Sequence, residues 1–381
     1  MKLQKIISSC LVLAISSLFI LSGCHLHVID DPQSSQSSSS SPTTSSSRSG
    51  VVEPSDNLDI SPDEITPAVW KVSDENGNYI YMMGSIHAAD DSVYHMPGYF
   101  ETAFSQCDSL AVEIDISSVL TDMTSIIDMY KKMAYTDGTK ISDHIPKQSY
   151  DRLVEILKEN NLYNNLYDNY KPVLWTSLME NAALMKAGLD TSKGVDTVLI
   201  NRANNENKEV LEVESFDFQI DLLNNLPDEL NAMLLEQYVA DGAFDKQVTD
   251  TIELYDHWKK GTLTAEATGA DTTASTNEVS LTPEQEKLLE DYNNTLLVER
   301  NKNMANKAEE YMQSDNVVMF VVGAAHFYGD NGILQLMKDK GCTVIQLTEK
   351  DADKTLQTSK DISAETQQDR SDAQLSQQNA A

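Results

Sequence analysis

The chain is poor in positive charge. It carries 28 lysines and arginines against 60 aspartates and glutamates, a formal net charge of −32. Such a surface repels nucleic-acid phosphates, so a nucleic-acid partner is not expected. Cysteine is scarce, with four residues and no Cys-x-x-Cys pair, which removes zinc-knuckle and thioredoxin-type chemistry. Cys107 and Cys342 can pair only if the fold brings them together. The His-Glu-x-x-His helix, the Gly-x-Ser-x-Gly turn, the phosphate-binding loop and the dinucleotide glycine fingerprint are all missing. Ser85 and Ser215 are therefore weak candidates for a nucleophile. Past the first two dozen residues no apolar run is long enough to cross a membrane.

Hydrophobic residues make up 40% of the chain, enough for a sizeable core. Residues 1–23 read as a signal peptide, with Lys2 and Lys5 ahead of the mostly apolar stretch Ile6 to Leu21. Leu21-Ser22-Gly23-Cys24 resembles a bacterial lipobox, which predicts cleavage before Cys24 and lipid on its thiol. Acyl chains would anchor the protein to the cell membrane on its extracytoplasmic side. Residues 24–60 form the lipidated start of a Ser-rich tether that cannot bury enough apolar surface to fold. The folded domain is expected over 61–350, with a mobile Thr/Ala/Glu-rich insertion at 261–282 and a disordered polar tail at 351–381.

Two stretches organise that domain. Tyr79 to His87 and Val317 to His326 are each an apolar run followed by Gly-x-x-His. A strand that ends in glycine lets backbone approach closely, and α/β folds carry chemistry just past strand ends. Val69 to Ser73 and Tyr79 to Met83 flank an Asn-Gly turn and read as a hairpin. Ser109 to Ile114 and Lys208 to Val213 read as further strands, as do 317–323 and 342–347. Helices are expected at 97–107, along a stripe from Ile116 to Tyr130, and at 147–160, 171–188, 194–206, 216–225, 228–259, 283–313 and 331–339. The fold class is α/β: a central mixed β-sheet flanked by many helices, with the two Gly-x-x-His strand ends converging on one cleft.

His87 and His326 are suited to ligate a metal or to accept a proton near neutral pH. Glu113 sits in a buried-looking strand, where a carboxylate is costly unless paired. Two histidines and a carboxylate suit a divalent ion such as Zn, Mn or Co, with water in an open position. Without an ion, a His–Glu pair can still activate water as a general base.

These residues, taken in order, resemble the TraB/PrgY/GumN family. The resemblance rests on Trp70-Lys71-Val72, Gly84-Ser85-Ile86-His87, Leu110 to Asp115, Gly194-Val195-Asp196, Glu212 to Ser215 with Gln219, Glu299-Arg300-Asn301 and Val322 to His326. It spans about 65 to 348 and implies an α/β fold similar to the erythromycin-esterase-like and ChaN-like folds. The family includes TIKI-type membrane-tethered metalloproteases. Carried over, His87, His326 and Glu113 become catalytic and metal-ligating residues. Glu214, Arg300 and Ser85 become substrate-binding, with Arg300 suited to a substrate carboxylate. The 261–282 insertion departs from the family pattern and leaves substrate choice open. The resemblance implies a hydrolase, a metal-dependent peptidase acting on a peptide or small envelope substrate, which the lipobox reading places outside the cytoplasm as a lipoprotein. The alternatives are a non-catalytic envelope lipoprotein that sequesters a peptide, and a structural envelope protein.

Overall fold

The computed structural model describes residues 65–270 and 282–351. The signal peptide, Cys24, the tether, residues 271–281 of the insertion and the tail beyond 351 lie outside the described residues. Residues 261–270 form turns against the domain, with Leu263 and Thr268 buried.

Among the described residues six strands form one sheet: β1 (Val69–Ser73), β2 (Tyr79–Ser85), β3 (Ser109–Val112), β4 (Glu209–Glu212), β5 (Val318–Gly323) and β6 (Thr343–Gln346). Their order is β4-β3-β5-β2-β1-β6. Strands β4, β3, β5 and β2 run parallel, and β1 pairs antiparallel with both β2 and β6. The sheet is thus mixed, as expected. Every residue of β3 and β5 is buried, which accounts for their near-continuous apolar runs.

The helices are α1 (Gly98–Gln106), α2 (Ile116–Thr121), α3 (Met123–Met133), α4 (Lys147–Glu159), α5 (Pro172–Lys186), α6 (Val195–Asn205), α7 (Phe216–Asn224), α8 (Asp228–Glu236), α9 (Ala243–Lys259), α10 (Pro283–Asn293), α11 (Glu299–Met312) and α12 (Ile333–Asp339). The period-two alternation of the strands sorts their side chains onto two cores. Tyr81, Met83, Leu110, Met319 and Val321 join the larger core, with Trp175 of α5, Leu199 of α6 and Val248 of α9. Ile80, Met82, Ala111, Phe320 and Val322 join a smaller one under Met304 and Ala308 of α11 and Met337 of α12. The result is a sheet between a thick helical layer and a thin one.

Several expected elements are divided. The stripe from Ile116 to Tyr130 breaks at Asp122, whose side chain accepts from Thr124 N and caps α3. The expected helix 228–259 is interrupted between α8 and α9, just before which Asp241-Gly242 stands as a turn dipeptide. The expected long helix 283–313 runs through, but Asn294–Val298 takes the wider π form. Cys107 and Cys342 are both free thiols; Cys107 Sγ donates to Ala103 O at 3.2 Å.

Candidate active site at the strand ends

The four parallel strands point their carboxyl ends the same way, and each is followed closely by a charged or titratable side chain. β2 leads to His87, β3 to Glu113, β4 to Glu214 and β5 to His326. Such an edge is where open α/β sheets assemble sites. Glu113 lies one residue past its strand, not within it as expected. β2 and β5 are neighbours, with Gly84 opposite Val322 and Ser85 opposite Gly323. The turns that follow them touch: a Cβ on Gly84 would lie 2.8 Å from Ala324 Cα, so only glycine fits there.

Glu113 is 5% exposed and fully engaged. Its Oε1 accepts from Gly323 N at 2.7 Å, and its Oε2 accepts from Arg300 NH2 and from Gln219 Nε2, each at 2.9 Å. Burial alone would push this carboxyl up. Arg300, helped by His326, His87 and the Gly323 amide, overrules that and holds it at about 2.

Arg300, 2% exposed, also donates to Glu214 through Nε at 2.8 Å and NH2 at 2.7 Å, and through NH1 to Leu296 O at 3.2 Å. Burial opposes the guanidinium charge, but Glu214 and Glu113 raise its pKa above the ordinary value. The fork expected to grip a substrate carboxylate is therefore filled by two carboxylates of the chain itself. Gln219 Nε2 bridges the same pair, reaching Glu214 Oε2 at 2.9 Å. Ser215 caps α7 through its hydroxyl to Phe218 N, which sets Gln219 one turn in. Ser85 is wholly buried in β2, so the expected substrate contact through its hydroxyl is not available in this arrangement.

Each histidine has a polar oxygen close to Nδ1, as an ion-pair contact at His87 and a hydrogen bond at His326. His87 Nδ1 lies 2.8 Å from Asp196 Oδ2. α6 reaches His87 because Gly194 has no Cβ: one would lie 2.5 Å from His87 O. Val195 N donates to Ile86 O at 2.8 Å, fixing the first turn of α6 and Asp196 with it. His326 Nδ1 lies 2.5 Å from Asn301 Oδ1, and His326 Nε2 is 3.7 Å from Glu113 Oε1. Burial, then Arg300 and His87, lower the His326 pKa to about 3 against the pull of Glu113. His326 is therefore neutral at physiological pH. His87, at 8%, is the more exposed of the two histidines, with His326 at 1%.

Asp196 and Asn301 were legible only as members of short motifs, with no role attached. The available signal was an acidic residue in a helix first turn after glycine, and an Asn next to the Arg of the Glu299-Arg300-Asn301 motif.

The fit of a divalent ion turns on Glu113. Its oxygens serve Gly323, Arg300 and Gln219, and a guanidinium already sits against it. Among the described residues no three His, Cys, Asp or Glu side chains gather as a metal-holding group. As arranged, the expected His87, Glu113 and His326 ligand set does not fit an ion, because Glu113 is committed to Arg300. What the arrangement offers directly is a carboxylate-backed imidazole, a neutral imidazole and a buried ion-pair network.

The model of the TraB/PrgY/gumN family matches residues 68–346. The chain is 25% identical over 324 residues to "Metalloprotease TIKI2" of Xenopus tropicalis, a match covering 74% of this chain and 60% of that protein. It is 25% identical over 329 residues to "Metalloprotease TIKI1" of Homo sapiens, covering 76% and 64%. "Uncharacterized protein YbaP" of Escherichia coli (strain K12) is 22% identical over 265 residues, covering 68% and 88%. The chain thus spans less than two thirds of the length of these TIKI relatives. No solved structure matches.

Proposed function

The chain belongs to the TraB/PrgY/gumN family, and from that premise we propose that it is a peptide hydrolase whose reacting centre is the strand-end cluster. The observation that carries the reading is the pairing of His87 Nδ1 with Asp196 Oδ2 at 2.8 Å, beside a neutral His326 and the Glu113–Arg300 pair. A carboxylate behind an imidazole orients the ring and stabilises its protonated form.

In this reading water attacks the peptide carbonyl carbon. The new C–O bond forms as the carbonyl electron pair moves to oxygen, and the proton of the water passes to His87. Asp196 balances the imidazolium. The imidazolium then returns the proton to the departing amine as the C–N bond breaks. Arg300 keeps Glu113 and Glu214 from loading the site with unbalanced negative charge.

Peptide as substrate is supported by the word metalloprotease in the names of the TIKI relatives. Anchoring on the extracytoplasmic side of the cell membrane, through lipid on Cys24, is supported by the Leu21-Ser22-Gly23-Cys24 sequence. Among the described residues no helix is long and apolar enough to cross a membrane.

The full mature chain and its His87→Ala and His326→Ala variants, incubated with a quenched-fluorescence peptide library, test this. Turnover in the wild type that persists in EDTA and is lost in both variants is the expected result. Turnover abolished by EDTA and restored by Zn, Mn or Co would instead require Glu113 to leave Arg300 for an ion. A second reading, peptide sequestration without cleavage, is favoured by the burial of His326 and Glu113. Saturable peptide binding with no cleaved product would replace the hydrolase with that reading.

A further inference from the structure

Asn301 follows Arg300 on α11 and is 2% exposed. The two ends of its amide face different partners. Nδ2 donates to the backbone carbonyl of Asn331 at 2.8 Å, and Oδ1 faces His326 Nδ1 at 2.5 Å. A backbone carbonyl can only accept, so the amide nitrogen is the end turned toward Asn331. The amide oxygen is then the end turned toward His326, and it too can only accept. The imidazole must supply the proton, and it must supply it from Nδ1.

We infer that Asn301 is a positioning residue that locks His326 as the Nδ1–H tautomer and turns the Nε2 lone pair toward Glu113. Nε2 then faces Glu113 Oε1 at 3.7 Å as one acceptor facing another. Glu113 Oε1 already accepts from Gly323 N at 2.7 Å, so the Nε2 lone pair is left as the acceptor of the pair that a bound donor would meet. In the hydrolase reading that lone pair accepts from the attacking water. It is not the donor that steadies a developing oxyanion. The water-holding role rests on the hydrolase reading, whereas the tautomer rests on geometry alone.

Multiple-bond ¹H–¹⁵N correlation spectra of the full mature chain, labelled at its histidine rings and recorded at neutral pH, read the tautomer directly. The chain has seven histidines, so the His326 signals are assigned by their loss in His326→Gln. The wild type is expected to show a protonated Nδ1 and a bare Nε2 at His326. Asn301→Leu removes the acceptor at Nδ1, and the proton is expected to move to Nε2, where it can donate to Glu113. If the chain hydrolyses peptide, the same variant should lower kcat by about 10- to 100-fold with KM little changed. A wild-type His326 carrying its proton on Nε2 overturns the inference, and so does an unchanged tautomer in a folded Asn301→Leu. If that variant does not fold, the wild-type spectrum decides alone. An Nδ1–H result in a chain that cleaves nothing removes the hydrolase reading and leaves the tautomer standing.

Discussion

Glu113 and Glu180 are both buried carboxyl groups, and the protein treats them in opposite ways. Glu113, at the strand ends, spends both oxygens on Arg300, Gln219 and Gly323 and stays ionised down to about pH 2. Glu180, on α5 in the helical layer, is 1% exposed, and neither of its oxygens has a hydrogen-bond partner among the described residues. Burial, with nothing to offset it, raises the Glu180 pKa well above the ordinary 4.5. Its electrostatic neighbour Tyr238 is also fully buried, and that hydroxyl has no hydrogen-bond partner among the described residues. Depth therefore does not decide whether an acid ionises; the counter-charge does. The strand ends hold a cation between two carboxylates, whereas burial around Glu180 favours the neutral form of its acid.

Removing the cation should erase the contrast. Arg300→Leu leaves Glu113 and Glu214 buried without their partner and is expected to cost about 3–5 kcal/mol, measured by urea unfolding at pH 7. Retention of wild-type stability would show that the network contributes little.

The pH dependence separates the two regions by sign. Glu113 binds its proton at about 2 when folded and near 4.5 when unfolded, so its contribution is present above 4.5 and is lost as pH falls toward 2. His326 stays neutral down to about 3 when folded, but when unfolded it takes a proton near 6.5, so it loses stability as pH falls from 6.5 to 3. Glu180 acts the other way: the unfolded chain releases its proton above 4.5 while the fold retains it, so its contribution weakens as pH rises. Urea midpoints across pH 3–9 should show both slopes.

Glu180→Leu should remove the second slope and raise stability by about 1–3 kcal/mol at pH 8, with a smaller gain at pH 5. An equal gain at both pH values would mean that titration is not the cause. The smallest change is expected at an exposed pair. Lys147 Nζ and Asp151 Oδ2 meet at 2.6 Å one helical turn apart, both largely in solvent. Lys147→Ala should alter the free energy of urea unfolding by less than about 0.5 kcal/mol, which would tie the effect at Arg300 to burial.

Much of the sheet was legible because strands buried on both faces must be apolar throughout, and Tyr79 to Met83 and Val317 to Gly323 show it plainly. The Asn-Gly turn likewise announced the β1–β2 hairpin. What was not legible depends on contacts between distant segments. Arg300 read as a fork for an external carboxylate because nothing local reveals that Glu113 and Glu214 end adjacent strands. Asp196 read as an ordinary acid in a first helical turn, since its place against His87 requires Gly194 to nest on that backbone. Glu180 left a fainter signal, a lone acid within the otherwise uncharged Pro172 to Met185 stretch, and drew no expectation.

The π turn at Asn294–Val298 has a wider consequence for the cluster. A helix advances about 100° per residue, so one added residue re-phases everything after it. Arg300 and Asn301 stand just downstream, and their orientation toward Glu113 and His326 is counted from that turn. Deleting a single residue there would swing both side chains away together while leaving their identities untouched. The spacing of this helix is itself part of the cluster's composition.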